Sequence, residues 1–481
     1  MSFEPIIGLE VHVQLNTNTK MFCSCSSEYL DVEPNTYVCN VCLGLPGSLP
    51  SVNYEAVISA IKLGLSLNCK ISELTKFDRK NYVYPDLMKG YQISQLDLPI
   101  AVDGEIKVKN QLDEDSKIRI NRVHMEEDVA KLIHDEISSE VLVDLNRSGM
   151  PLLEVVTEPD FRSSVEAENY LTNLQSIVRF LGIGNANMEE GSFRCDANVS
   201  IRKKGSENLN EKVEIKNMNR IKAVSRAIEY EIQRQTIEVE SGNRIIQETR
   251  GWDDINTKSI PQRSKEDAHD YRYFPEPDLP AIRISEDFIN NISKNLPELP
   301  EKKFERYVNK IGLSEYDAKI IISNINKTIF FEDVIENFKN IDPKLISNWL
   351  NVEINGVSNT NKDYDLENMK LSSINFGKLI ELVINKKINK NSGKEILSKI
   401  YFSDENPIEL VEKMGLKSMD SLEELEVLVY EVLKENDQAI EDYRKGKDNA
   451  VRFLIGQVMK KSRGTANPSE TEKEIIRQLD E

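Results

Sequence analysis

Apolar and polar residues alternate strictly over residues 5–15 (PIIGLEVHVQL). Ile7, Leu9, Val11, Val13 and Leu15 face one way, and Gly8, Glu10, His12 and Gln14 the other. A period of two marks a strand with one buried face, and it sets Glu10 and His12 about 7 Å apart on the polar face. The pattern recurs at 193–202, where Arg194, Asp196, Asn198 and Ser200 oppose Phe193, Cys195, Ala197, Val199 and Ile201. At 213–219 Glu214 and Lys216 oppose Val213 and Ile215. Together with Asp103-Gly104, read as a hairpin turn, these strands predict an antiparallel sheet whose polar face forms a concave site. Helical periods lie between them. Residues 53–67 are amphipathic, and a capping box at 163–166 (SSVE) opens an apolar stripe of Val165, Leu171, Leu174, Val178 and Leu181 that stops at Gly182.

From about residue 294 the strand pattern ends and a Lys-, Asn-, Ile- and Glu-rich helical pattern begins. Loop signals at 355–364 and 402–407 divide it. The expected fold class is therefore α+β: an antiparallel-sheet cradle domain over 1–293, an all-helical domain over 294–405 and a small helical tail domain over 406–481.

Charge changes the picture most at 118–160. Glu126, Glu127, Asp128, Asp144, Glu154, Glu158 and Asp160 sit in or beside strand-like runs such as VLVDL and PLLEVV. A buried, unpaired carboxylate is costly. These acids need a cation, and a divalent metal carrying a polyphosphate suits them, with Glu10 and His12 as further candidate ligands. Surface acids between strands are the plain alternative. Residues 76–95 interleave Lys76, Arg79, Lys80 and Lys89 with Tyr82, Tyr84 and Tyr91, which suits phosphates and a stacked base as well as a solvated hairpin. Residues 262–280 are dense in Arg263, Lys265, Arg272 and acids and end in a proline-punctuated loop.

The six cysteines belong to a chain whose N-terminus lacks a signal-peptide pattern, so the cytoplasm is the expected compartment and disulfides are not expected. Cys23 and Cys25, then Cys39 and Cys42, have the paired spacing of a tetrahedral thiolate zinc site; four thiolates close the shell, which makes it structural. No run of about 18 apolar residues occurs. There is no Walker loop, no GxGxxG at the head of a helix and no GxSxG, so a bound nucleotide would be held by side chains and metal, and no hydrolytic nucleophile is visible. A net charge of −19 argues against general nucleic-acid affinity. Residues 444–463 reverse that sign locally, with Lys445, Lys447, Lys460, Lys461 and Arg463 beside the apolar Val451, Phe453, Leu454, Ile455 and Val458. A basic helix over a small core and a nucleic-acid contact are both compatible with this segment.

Several strings together resemble one family, the B subunit of the tRNA-dependent amidotransferase. They are IGLEVHVQL, KMFCSC with CNVCLGLPGSLP, FDRKNYVYPDLMKGYQISQ, VHMEEDVAK, DLNRSGMPLLEVVTEPD, GSFRCDANVSIR, EIKNMN, RSKEDAHDYRYFPEPDL and GQVMKKSRGTANP, in order from residue 6 to 468. Small departures are Arg220 where Ser is commoner, and YPDLMKGYQ in place of YPDMPKGYQ. The resemblance implies ATP and Mg2+ in the cradle, with metal held by Glu10, His12, Glu126 or Glu127, and Glu154, and Asp196 as a further candidate. Arg194, Asn198 and Lys216 become candidates for phosphate or substrate contacts. It also implies ammonia from a partner amidase (A) subunit, a small C subunit completing a heterotrimer, and a tail that touches misacylated tRNA. The related E-type subunit and a non-catalytic, zinc-containing tRNA scaffold are the competing expectations.

Overall fold

The computed structural model describes residues 3–134, 140–264, 270–360, 369–416, 422–447, 449–462, 464 and 466–480. The chain forms two compact units, Met1–Pro300 and Glu301–Glu481. In the first unit the strands are β1 (Phe3–Gln14), β2 (Lys70–Ile71), β3 (Leu74–Thr75), β4 (Asp78–Asn81), β5 (Tyr91–Ser94), β6 (Ala101–Lys109), β7 (Asp115–Glu127), β8 (Lys131–His134), β9 (Val141–Asp144), β10 (Pro151–Thr157), β11 (Phe193–Lys203), β12 (Val213–Lys216), β13 (Glu248–Asp253), β14 (Lys258–Ser264), β15 (Phe274–Pro275) and β16 (Ile282–Arg283). Nine of them make one sheet in the order β14-β13-β12-β11-β1-β10-β7-β6-β2, with β1 at its centre.

Alternation in β1 turns directly into layering. Ile7, Leu9, Val11 and Val13 are fully buried against helices α1 (Tyr54–Ser66), α2 (Ser164–Phe180) and α3 (Ile221–Glu240), while Glu10, His12 and Gln14 remain partly accessible on the other face. Burying each such Val, Leu or Ile contributes about 1.5–3 kcal/mol, enough to fix the register of the central strand. Helix α2 begins where the capping box placed it: Ser163 Oγ accepts from the Glu166 amide at 3.2 Å, and Gly182 takes a φ of 67° just past its end. The reciprocal bond is shifted by one residue, because Glu166 Oε2 accepts from Arg162 N at 2.6 Å.

Four local expectations are corrected. The sheet is antiparallel except for β12 and β13, which run parallel because α3 crosses over between them. Asp103-Gly104 is not a hairpin turn: β6 runs through it in unbroken register with β7, and the turn is at 110–114. Gly104 serves close packing instead, since a Cβ there would lie 2.3 Å from Cys69 Sγ and 2.6 Å from Leu67 O. Residues 355–360 are helical, with Asn355 Nδ2 donating to Asn351 O at 2.7 Å; 361–364 lie outside the described residues. Phe453 does not join the small core of the basic helix and is 49% exposed, while Leu454 and Val458 are buried.

The composition shift near 293 coincides with the end of the helix Glu286–Lys294, whose Ile292 still packs into the first core. Among its described residues, the second unit has only helices as secondary-structure elements. It contains a separate apolar cluster of Leu425, Val429, Val432, Leu454, Val458 and Ile475. No described helix is long and apolar enough to cross a membrane.

Candidate active site and metal centres

Cross-strand register assembles the first centre. His12 on β1 lies opposite Arg194 on β11 and Glu154 on β10, and Glu154 lies opposite His124 on β7. One rung of the polar face thus reads Arg194, His12, Glu154, His124, and Glu126 follows two residues along β7 on the same face. His12 Nε2 lies 3.3 Å from Glu126 Oε1 and 3.4 Å from Glu154 Oε2. His124 Nε2 lies 3.1 Å from the same Glu154 oxygen. The ligating atoms of His12, Glu126 and Glu154 fall within 4.8 Å of one another, a spacing that one divalent ion with bonds of about 2.0–2.6 Å can span.

Electrostatics in this cluster is a contest that the charges win. Burial disfavours ionisation of both imidazoles, yet Glu154 and Glu126 together raise His124 above its ordinary range and His12 well above it. Burial likewise opposes ionisation of Glu126 and Glu154, but the two histidines hold Glu126 down to about 2 and Glu154 well below the usual carboxylate range. Without a metal, then, protons supply the positive charge. A metal needs His12 neutral, so binding releases a proton wherever the pH lies below the raised His12 value. Mn2+ affinity is therefore expected to fall as pH is lowered through neutrality, by up to about tenfold per pH unit for one displaced proton. Isothermal titration in buffers of different ionisation enthalpy checks this; affinity independent of pH between 6 and 8 would exclude His12 as a ligand.

The remaining acids have other partners. Glu127 points away from this cluster, ion-paired with Lys89 and accepting from Ile93 N at 3.0 Å, so strand alternation separates it from Glu126. Asp128 accepts from Arg194 Nη2 at 2.9 Å. Glu10 is not in the cluster; its Oε1 accepts from Asn198 Nδ2 at 2.9 Å, one rung further along the sheet. Asp196 accepts from Lys216 Nζ at 2.6 Å, and Lys216 also reaches Glu214 at 3.2 Å. Asn198 Oδ1 is buried with no hydrogen-bond partner among the described residues, and it borders a cavity of about 460 Å³ lined by Gly8, Glu10, Thr157 and Ser200. Glu158 and Asp160 are held by Asn121 (2.7 Å) and Arg119 (2.7 Å), and Asp144 accepts from the Asn35 and Asn146 amides at 3.1 and 3.0 Å. Those three shape loops and turns. His124 is the site residue that sequence reasoning left unassigned, although its position two before Glu126 repeats the Glu-x-His logic of β1.

On the hairpin β4–β5, Arg79 lies 4.2 Å over the Tyr91 ring and donates from Nε to Glu276 Oε2 at 2.7 Å. Lys80 sits 5.0 Å from the Tyr271 ring, which stacks edge-on with Tyr82 and Tyr273. Burial foremost raises the Tyr82 and Tyr273 phenols, followed by the charges of Asp86 and then Glu126 at Tyr82 and of Glu126 at Tyr273, so this aromatic wall borders the carboxylates. Lys265 lies outside the described residues.

The second centre lies in the loop after β1. Cys42 Sγ lies 3.3 Å from Cys23 Sγ, 3.6 Å from Cys39 Sγ and 3.7 Å from Cys25 Sγ. A tetrahedral ion with Zn–S bonds near 2.3 Å requires sulfurs about 3.8 Å apart, so the donors fit structural zinc in number, type and spacing. A hydrogen bond from Cys23 lowers the Cys42 thiol to about 4 against the effect of burial, and burial pushes Cys25 up to about 12.

In the second unit the tail lysines are largely engaged. Lys445 pairs with Glu441 (3.2 Å), Lys447 with Asp442 (2.9 Å), and Lys461 with Glu431 (3.0 Å) and Glu435 (2.8 Å). Lys460 has no ion pair among the described residues, and Arg463 lies outside them. The local reversal of sign is smaller in three dimensions than along the chain, because neighbouring helices supply acids. Exposed pairs of this kind are worth little and exchange readily for phosphate.

Known proteins share this sequence closely. Residues 5–290 match the model of the GatB/GatE catalytic domain, and residues 329–479 match the GatB domain. Three proteins, each named as the B subunit of an aspartyl/glutamyl-tRNA(Asn/Gln) amidotransferase, are similar over nearly the whole chain. That of Persephonella marina is 47% identical over 479 residues, covering 100% of both chains. That of Dehalococcoides mccartyi strain CBDB1 is 48% identical with 97% of each covered, and that of Clostridium kluyveri 46% identical with 97% of each. With a catalytic-domain match over more than half its length and near-half identity end to end, the chain belongs to the GatB family, that of the B subunits of tRNA-dependent amidotransferases.

Proposed function

We propose that the chain carries out the ATP-dependent half of transamidation on Glu-tRNA(Gln), Asp-tRNA(Asn) or both. A free carboxylate is a poor acyl donor. In the proposed sequence, the side-chain carboxylate of the misacylated residue attacks the γ-phosphorus of ATP and ADP leaves. Ammonia then attacks the acyl carbon of the acyl phosphate, and phosphate leaves as the amide forms. The observation that carries this reading is the His12–Glu126–Glu154 cluster on the polar face of the sheet, with both carboxylates buried, His12 partly accessible and a spacing that suits one divalent ion. When bound there, Mg2+ supplies charge neutralisation for the transferring phosphoryl group. His12, Glu126 and Glu154 would hold the ion, and His124 would donate to Glu154 to fix its orientation, as outer residues of metal sites do.

Arg194 and Lys216, on the same face, are the proposed phosphate contacts, each held ready by an acid that phosphate oxygens can replace. Glu10 and Asn198 line the cavity, where Asn198 Oδ1, without a partner among the described residues, offers an acceptor to a hydroxyl or amino group of the nucleotide, and Asp196 lies opposite Glu10 in the sheet. The chain has no visible hydrolytic nucleophile, which supports ammonia supplied by a partner amidase subunit, with a small third subunit completing the complex in the cytoplasm. Structural zinc at Cys23, Cys25, Cys39 and Cys42 shapes the rim. The proposed division is a cradle domain over 1–293, a helical domain over 294–405 and a tail domain over 406–481, the last supported by its separate apolar cluster. That tail is the proposed tRNA contact, through Lys445, Lys447, Lys460, Lys461 and Arg463.

Ammonium chloride, ATP, Mg2+ and each misacylated tRNA, supplied to the assembled complex, test the reading. Amide formation that depends on ATP, with ADP produced in step, is expected; amidation without ATP consumption would refute it. In the same assay Lys460→Glu with Lys461→Glu is expected to raise KM for tRNA about tenfold with little change in kcat, the mark of lost uniform binding. An unaltered KM would leave the basic helix a solvated face.

A further inference from the structure

Lys20 is fully buried, yet its ammonium has no carboxylate partner among the described residues. It donates to Tyr37 O at 2.7 Å, to Leu145 O at 3.2 Å and to Cys42 Sγ at 3.7 Å. A buried ammonium surrounded by carbonyls still needs an anion. The cysteine cluster provides one, because four thiolates around a divalent zinc leave a net charge of −2.

The same side chain touches the other centre's support. Met21, the next residue, donates its amide to Gly149 O at 2.7 Å, and Gly149 N donates to Asp128 O at 2.9 Å. Gly149 holds a φ of 84°, and a Cβ there would lie 3.5 Å from Lys20 Cδ and 3.9 Å from Glu127 Oε2. One glycine therefore separates the Lys20 stem from the Glu127 carboxylate. Asn146, fully buried, completes the seam: its Oδ1 accepts from Tyr37 N at 2.9 Å and its Nδ2 donates to Glu33 O at 2.8 Å. Asp128 at the far end holds Arg194, the cross-strand neighbour of His12.

We propose that Lys20 is a positioning residue that couples the thiolate site to the carboxylate cradle: its ammonium balances the metal-bound thiolates while its stem and carbonyl contacts set residues 145–149, on which Glu127 and Asp128 rest. The thiolate site is thereby more than a local staple, since its occupancy fixes the floor of the ATP-directed face. This rests on reading the four thiols as a zinc site.

Elemental analysis of the wild-type full-length chain tests that premise alone; protein without zinc removes it, and the coupling with it. With zinc present, Lys20→Met keeps the stem and deletes the charge. It is expected to raise the Kd for Zn2+, read by competition with a chromophoric chelator, about ten- to a hundred-fold. In Co2+-substituted protein the thiolate-to-metal charge-transfer band should move to lower energy, because an N–H···S donor has been lost; a merely structural role would leave it in place. In zinc-saturated Lys20→Met, the Kd for Mn2+ at the carboxylate cluster should rise about tenfold. An unchanged zinc Kd overturns the charge role, and an unchanged Mn2+ Kd overturns the coupling. If the variant does not fold, amide hydrogen exchange in the wild type decides. Stripping zinc is expected to speed exchange at the Met21 and Gly149 amides, and equal protection with and without zinc overturns the proposal.

Discussion

Glu154→Gln is expected to abolish ATP-dependent amidation while leaving tRNA affinity and zinc content at wild-type levels. Glu154 sits between two imidazoles, and one of its oxygens serves both, at 3.4 Å from His12 and 3.1 Å from His124. Glutamine keeps the size and hydrogen-bonding shape but removes the charge that draws a cation into the rung. The metal would then have one carboxylate and one imidazole, with a neutral amide as third ligand. Several kcal/mol of transition-state charge stabilisation depends on that ion, so turnover should fall by about 10²–10³-fold or more. The change of a neighbouring acid, Glu158→Gln, is the matched control: its carboxylate accepts from Asn121 at a loop, so turnover should stay within about twofold. A steady-state assay of ADP and amide formation, with tRNA binding measured separately by filter retention, checks both. If Glu154→Gln turned over normally, the chain would be a scaffold whose carboxylates are structural, and the non-catalytic reading would replace the one proposed.

Much of this site was legible because strands convert sequence parity into geometry. The alternation of residues 5–15 put Glu10 and His12 on the polar face, and the structure keeps them there. Parity cannot say which rung each occupies. That depends on how β1 is paired with β10 and β11, and the observed pairing sends His12 to Glu154 but Glu10 to Asp196 and Asn198. Glu126 and Glu127 could not be told apart by type, yet consecutive strand residues must face opposite ways, and Lys89 marks which one left the cluster. The Asp103-Gly104 reading failed for a different reason. A glycine needed for close approach to Leu67 and Cys69 carries the same letters as a glycine needed for a turn. The tail lysines show the limit of counting charge along a segment, because their partners lie just outside it, Glu441 and Asp442 immediately before it and Glu431 and Glu435 on an earlier helix. Lys20 was invisible as a candidate: nothing in KMFCSC says that its ammonium is buried among carbonyls and a thiol.

Cys39→Ser is expected to destabilise the first unit by about 3 kcal/mol, in the range for removing one partner from a buried charged group, and to lower its Tm by roughly 6–12 °C. Apart from its polar contacts to residues 143–146, the loop that carries the four cysteines has little apolar core to hold it. Among its described residues Met21, Phe22 and Cys42 are the buried apolar ones, whereas Leu30, Leu45 and Leu49 are 61%, 45% and 68% exposed. Residues 27–50 contain no helix or strand, so few repeating backbone bonds offset the conformational entropy of ordering them, about 1–2 kcal/mol per residue. Metal ligation is the cross-link that a small apolar core cannot replace. Because His12, Glu126 and Glu154 stand on sheet strands whose opposite face is fully packed, turnover of the surviving folded enzyme at saturating Mg2+ should fall less than about tenfold, with weaker Mn2+ affinity as the clearer sign of a disturbed rim. Calorimetry of wild-type and Cys39→Ser protein, each with and without added zinc, measures the effect. The wild type should lose its advantage when stripped by chelator and regain it on adding zinc, and the variant should respond to neither treatment by more than a fraction of that shift. Identical melting curves for all four samples would mean that the thiols lie close together without a metal to hold.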